Sequence, residues 1–214
     1  DVRVTNAGGF SINGAMTWTG SEFVLVWEDD RVKSNAAGVF HVYGQTIDLD
    51  RNLVGDNVKL SLGQLEDHES PQLATGLSSI GVVWTHGNPN KHGIAFQTFG
   101  FDLKPKMDKA IELVPDGLSG VFPTIVWSKL TEQYLVAYYD PDHTPRAIYA
   151  TALGEDGKVA IPPKKVTDSP RHSRYPALLP LGDRTLLVWS DDKDQAGGYE
   201  LYSKMLGNLL DDMG

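Results

Sequence analysis

The apolar residues of this chain fall into short runs, not helical stripes. "EFVLVW" (Glu22 to Trp27), "QYLVAYY" (Gln133 to Tyr139) and "RTLLVW" (Arg184 to Trp189) are rich in β-branched and aromatic residues and bounded by turn formers. Such runs read as strands. "AIYATAL" (Ala147 to Leu153) and "YELYSKML" (Tyr199 to Leu206) alternate in part, as a strand with one drier face does. "LGEDGKV" (Leu153 to Val159) carries the Gly and Asp of a hairpin. No window of similar length has a helical period, so the pattern predicts an all-β chain.

The runs repeat. "LVWEDD", "VVWTHG", "VAYYDP" and "LVWSDD" place Trp27, Trp84, Tyr138 and Trp189 at spacings of 57, 54 and 51 residues. A second phrase follows each copy ("VYGQTI", "IAFQTF", "IYATAL", "LYSKML"), and a third anchor precedes it at Gly14, Pro71, Pro123 and Pro176. Strands a, b and c of each unit start at these anchors, and "NVKLS", "AIELV" and "KKVTD" supply strand d. Sequential four-stranded units of this length predict propeller blades. The expected units span 7–62, 63–114, 115–168 and 169–214 within one domain, 1–214. The last unit has no strand d of its own. "VRVTN" (Val2 to Asn6) stands at the same offset from Gly14 as "KKVTD" from Pro176, so residues 1–6 are expected to complete the C-terminal blade and close the ring.

The repeat resembles the W-x-D…I-Y…L-x-x-x-G type of bacterial secreted and cell-surface β-propellers. The blade count is similar to the hemopexin-like architecture, without that family's motifs. The sialidase Asp-box and the marks of WD40 and kelch repeats are also absent. The resemblance implies a four-bladed scaffold with four antiparallel strands per blade, and a scaffold does not choose a function.

The net charge of −9 argues against a nucleic-acid partner, because phosphates need a basic face. No apolar run is long enough to span a membrane. With no cysteine there is no disulfide, thiolate nucleophile or thiolate metal site. An extracellular or periplasmic location fits, and the opening Asp suggests a processed form or a piece of a larger polypeptide or assembly.

Candidate chemistry concentrates on one face of the wheel. The b–c and d–a loops emerge together there, and all six histidines fall in or beside them. Candidate ligand-binding residues are His68, Glu69, His86, His143, His172, Arg174 and Tyr175. The acids of the W-x-D phrase are Asp29, Asp140 and Asp191, with His86 at the equivalent place in unit two. Recurrence in three units favours a structural role, in which a carboxylate fixes the turn by accepting loop N–H groups. The competing reading is calcium or another divalent cation held by Asp140 and Asp142 of "DPDH" and Asp191 and Asp192 of "DDKD". No nucleophile elbow, P-loop or dinucleotide fingerprint is present.

Three functions remain open. The first is a non-enzymatic extracellular module meeting a protein or glycan with its His- and Asp-rich face. The second is a hydrolase or lyase acting on carbohydrate through His, Asp and Arg of that face. The third is a structural repeat within a larger surface protein. A flat face with scattered histidines would favour the first. A concave pocket where two or more of His68, His86, His143 and His172 converge with a carboxylate would favour the second.

Overall fold

A computed structural model describes residues 1–31, 39–61, 67–88, 91–194, 198–207 and 210–211. All regular structure among them is strand. The first sheet is β1 (Ser11–Trp18), β2 (Phe23–Asp29), β3 (His41–Ile47) and β4 (Leu53–Lys59), hydrogen-bonded in that order. The second holds β5 (Asp67–Thr75), β6 (Ile80–Asn88), β7 (Lys91–Phe99) and the two-residue β8 (Ile111–Glu112). The third holds β9 (Val121–Ser128), β10 (Gln133–Tyr139), β11 (Ile148–Leu153) and β12 (Val159–Lys165). The fourth holds β13 (Ser173–Leu181), β14 (Arg184–Asp191) and β15 (Glu200–Gly207). Every pairing is antiparallel, and the architecture is an all-β four-bladed propeller.

The repeated phrases meet across strands as the periodicity requires. Trp27 pairs with Tyr43, Trp84 with Ala95, Tyr138 with Tyr149 and Trp189 with Tyr202. Where both members are aromatic, the ring centroids lie 5.9 to 6.4 Å apart. Such cross-strand pairs stabilise a sheet by roughly 0.2–1 kcal/mol each. Period-2 alternation then splits each blade into two apolar faces. In blades two, three and four the face carrying the b-strand aromatic looks back at the preceding blade. Val82 and Trp84 pack with Val24, Val26 and Val42; Val136 and Tyr138 pack with Val83 and Ile94; Leu187 and Trp189 pack with Leu135, Ala137 and Ile148. These clusters fill three blade boundaries. Among the described residues, no such cluster joins blade four to blade one.

Each innermost strand carries one bulge at its entry. There Asn13, Ser70, Phe122 and Tyr175 adopt positive φ, between 50° and 53°. Left-handed backbone is uncommon outside glycine, and four copies in register mark it as a device of the repeat. A bulge sharpens the twist and re-aims a side chain. All four residues line one central cavity of 490 Å³.

One expectation fails. Residues 1–6 do not pair with β15, and the fourth sheet has three strands. The N-terminal segment lies against blade one instead. Asn57 of β4 accepts a hydrogen bond from the Asn6 N–H at 3.1 Å and donates one to the Val4 carbonyl at 3.1 Å. Arg31 donates to the Asn6 side chain at 3.0 Å. The offset to the strand-a anchor carried no information about which sheet edge the segment meets. Side-chain clamps beside the segment's own blade hold it there.

Candidate active site

The W-x-D acid is a buried knot at the end of strand b. The Trp27 indole N–H donates to Asp29 at 2.8 Å, Ser11 donates at 3.0 Å, and the Arg31 backbone and guanidinium donate as well. Burial works to raise the Asp29 pKa, but these donors, Arg31 foremost, outweigh it and bring it to about 2. Asp191 repeats the arrangement with Trp189 (2.9 Å), Ser173 (2.8 Å), Ser169 (2.7 Å) and the Lys193 N–H (2.9 Å). In blade three Tyr138 replaces the Trp, and Asp140 accepts from the Asp142 N–H and from His143 Nδ1. Asp142 accepts from Ser119, and Asp192 from the His172 N–H, which lowers the Asp192 pKa. The four acids considered for a cation thus take protein donors. Among the described residues, no three His, Asp or Glu side chains gather as a metal site would need.

Blade two breaks this rule. His86 stands where the acid should be, and the buried Trp84 Nε1 has no hydrogen-bond partner among the described residues. His86 Nε2 turns instead to Glu112 Oε2 on β8, at 2.5 Å. Glu112 also accepts the Ile94 and Val114 N–H groups. Burial pushes its pKa up, but His86 and these N–H groups outweigh burial and hold it below the usual value. Gly93, opposite His86, makes the contact sterically feasible. A Cβ there would stand 2.3 Å from Glu112 Oε2 and 2.6 Å from His86 Nε2.

Other titratable groups crowd this end of blade two. His68 pairs across the sheet with His86, and its Nδ1 lies 3.1 Å from His41 Nδ1. Burial, reinforced by His41 and His86, lowers the His68 pKa to about 3, so it is neutral at physiological pH. Glu69 shifts the opposite way. Its outer edge meets solvent, but partial burial and then the negative charges of Glu28 and Asp67 raise its pKa. Glu28 is itself buried and bridges two blades by accepting from the Ser70 N–H at 2.5 Å and the Asn13 amide at 2.9 Å.

These groups share small concave spaces. A pocket of 190 Å³ is lined by His68, Trp84, His86 and Glu112, among others. A neighbouring cleft of 180 Å³ is lined by Asp67, Glu69, His86 and His92 with three other residues. Thr85 of this cleft accepts the N–H of Phe122, which lines the central cavity, at 3.2 Å, so the two spaces adjoin. At that cavity Phe122 and Tyr175 are exposed and meet edge-to-face at 5.2 Å.

Of the sequence candidates, His68, Glu69 and His86 come together, and Tyr175 sits on the adjoining cavity. His143 is tied to Asp140. His172 Nδ1 accepts the Arg146 N–H at 3.2 Å, and Arg174 lies over the Tyr199 ring at 4.7 Å. None of these three lines the blade-two pockets. Sequence reasoning missed Glu112, Glu28 and His41. Glu112 lies in the short strand d, where nothing in the pattern distinguishes an inward acid from a surface one.

No family model and no curated protein matches the chain. Solved structures do. The chain is similar to the endo-arabinase from Bacteroides thetaiotaomicron VPI-5482, with TM-score 0.60 and 12% identity over 94% of this chain and 80% of that one. It is similar to the alpha-L-arabinofuranosidase from Lactobacillus brevis, with TM-score 0.60 and 10% identity over 93% and 74% of the two chains. The neuraminidase-like protein from A/bat/Guatemala/164/2009 superposes with TM-score 0.66 and 9% identity, over 95% of this chain and 53% of that one. At these identities the likeness shows the propeller fold, and the fold is what this chain has in common with them.

Proposed function

We propose that this propeller is a carbohydrate-active enzyme, a glycoside hydrolase working at the end of blade two beside the central cavity. The observation that carries the reading is the convergence of His68, His86 and Glu112 in one pocket, with Asp67, Glu69 and His86 in the next. That concave grouping is what an enzyme needs and a flat binding face lacks. The glycan-acting propellers that share the fold support the substrate class.

The geometry suits acid and base roles on neighbouring groups whose surroundings push them apart. Glu69, its pKa raised, is the acid that gives its proton to the glycosidic oxygen as the bond to the leaving group breaks. Glu112, ionised, accepts from His86 Nε2. That contact holds the imidazole at the edge of the cleft, as the base for the attacking water. The exposed rings of Phe122 and Tyr175, with the Asn13, Gln72 and Thr124 side chains, suit a sugar's apolar face and hydroxyl groups. The lack of cysteine and the likeness to secreted bacterial repeats support an extracellular or periplasmic protein in which these blades form one domain.

The test is hydrolysis and binding of arabinosides, galactosides and sialosides by the whole chain, its Glu69→Gln variant and its Tyr175→Ala variant. Glu69→Gln should abolish turnover and keep sugar binding, whereas Tyr175→Ala should weaken binding. Sugar binding without turnover in the wild-type chain would favour the non-enzymatic glycan module. Neither binding nor turnover would reject the reading.

A further inference from the structure

The outer faces of blades one and four break the burial pattern of the repeat. Val42, Ile94 and Ile148 occupy one place in strand c of blades one, two and three, and each is 0% exposed. Their counterpart in blade four, Leu201, is 75% exposed. At the equivalent place in strand a, Leu73 is 8% and Ile125 5% exposed, whereas Met16 of blade one is 67% exposed. Ile80 and Val82 of blade two are sealed, but their counterparts Phe23 and Leu25 are only half-buried.

The two open faces are of opposite kind. Period-2 alternation and register place Leu179, Leu186, Val188 and Leu201 on the side of blade four turned away from blade three. That side is the aliphatic face which, in blades one to three, receives the next blade. Met16, Trp18, Phe23 and Leu25 lie on the side of blade one turned away from blade two. That side is the face which, in blades two to four, packs on the blade before. A sheet covering both must therefore show an aromatic-bearing face to blade four and an aliphatic face to blade one. Each unit of this repeat has those two faces. All four inner strands already surround one central cavity, so the opening is a wedge about a shared axis. A second whole wheel would bring an axis of its own, while a single sheet fits the wedge.

We propose that the gap between blades four and one is the seat of a fifth blade, one more copy of this repeat. Its two packed boundaries would continue the three already present, and the central cavity would gain a fifth inner strand.

The chain has no cysteine, so single-cysteine probes report burial cleanly. L201C and M16C are compared with I148C, sealed between blades three and four, and with L130C, exposed in a turn. Thiol labelling is followed in the whole chain and in two fusions carrying an extra copy of residues 115–168, after Gly214 or before Asp1. In the monomeric chain, L201C and M16C should label as fast as L130C. In at least one fusion both should slow by about tenfold or more, as buried sites do, with L130C unchanged and hydrophobic-dye binding reduced. Protection in neither fusion overturns the proposal. So does protection in the unfused monomer, which would mean that four blades close on themselves. Protection that follows a concentration-dependent dimer would make a second copy the occupant and overturns it as well.

Discussion

Replacing Asp191 with Ala should remove one of the most heavily bonded groups in the fold. Its carboxylate is fully buried, and each oxygen accepts twice: Oδ1 from Ser169 and the Lys193 N–H, Oδ2 from Ser173 and the Trp189 indole. Lys193 is exposed and Ser169 half-buried, so those two donors can turn to water. Ser173 and the Trp189 N–H are shut in. A buried donor left unsatisfied costs about 1–3 kcal/mol, so with two of them the variant should lose roughly 2–6 kcal/mol. That is a large share of the ~5–15 kcal/mol that holds a typical domain together. Asp191→Asn should not rescue it, because either orientation of the amide sets an NH2 group against two donors. Urea unfolding followed by tryptophan fluorescence measures the loss directly. A destabilisation below about 1 kcal/mol would refute the reasoning, because the donors would then have found other partners.

Further outcomes concern pH and the chain ends. The folded-state pKa of Asp29, about 2, lies below the unfolded value, so its contribution is present above pH ~4 and is lost as pH falls through ~2. It is worth roughly 2 kcal/mol by linkage, and acid unfolding of Asp29→Asn should show a correspondingly shallower pH dependence. Glu69, raised by partial burial and by Glu28 and Asp67, must be protonated to act as an acid, so activity should fall as pH rises through its pKa. Glu28→Gln removes one repelling charge and should move that alkaline limb to lower pH; an unmoved limb would assign it to another group. A chain starting at Ala7 loses the Asn57 and Arg31 clamps but no sheet pairing, so its melting temperature should change little.

The local chemistry of this chain determines a great deal. Trp84, Tyr138 and Trp189 recur at one period because each fills the gap to the sheet before it, Trp27 holds the same place in blade one, and that repetition makes the blades legible without coordinates. The recurrence of Asp29, Asp140 and Asp191 likewise revealed a fixed turn, and the exception at His86 was visible as an exception. The tertiary structure decided what the exception does. Whether His86 meets Glu112, and whether Glu28 raises Glu69, depends on strands about 26 and 41 residues apart in sequence, brought together by backbone pairing and blade packing. The N-terminal segment gives the same lesson from the other side. Its alternation makes it strand-like, but hydrogen-bond ladders form between whichever edges tertiary geometry brings within reach. The Asn57 and Arg31 side chains hold Val4 and Asn6 at blade one. Periodicity fixes the shape of a unit because that shape follows from local sterics and burial. The partner of each outer face is a long-range matter, and only the assembled wheel exposes Met16 and Leu201 where the repeat would have covered them.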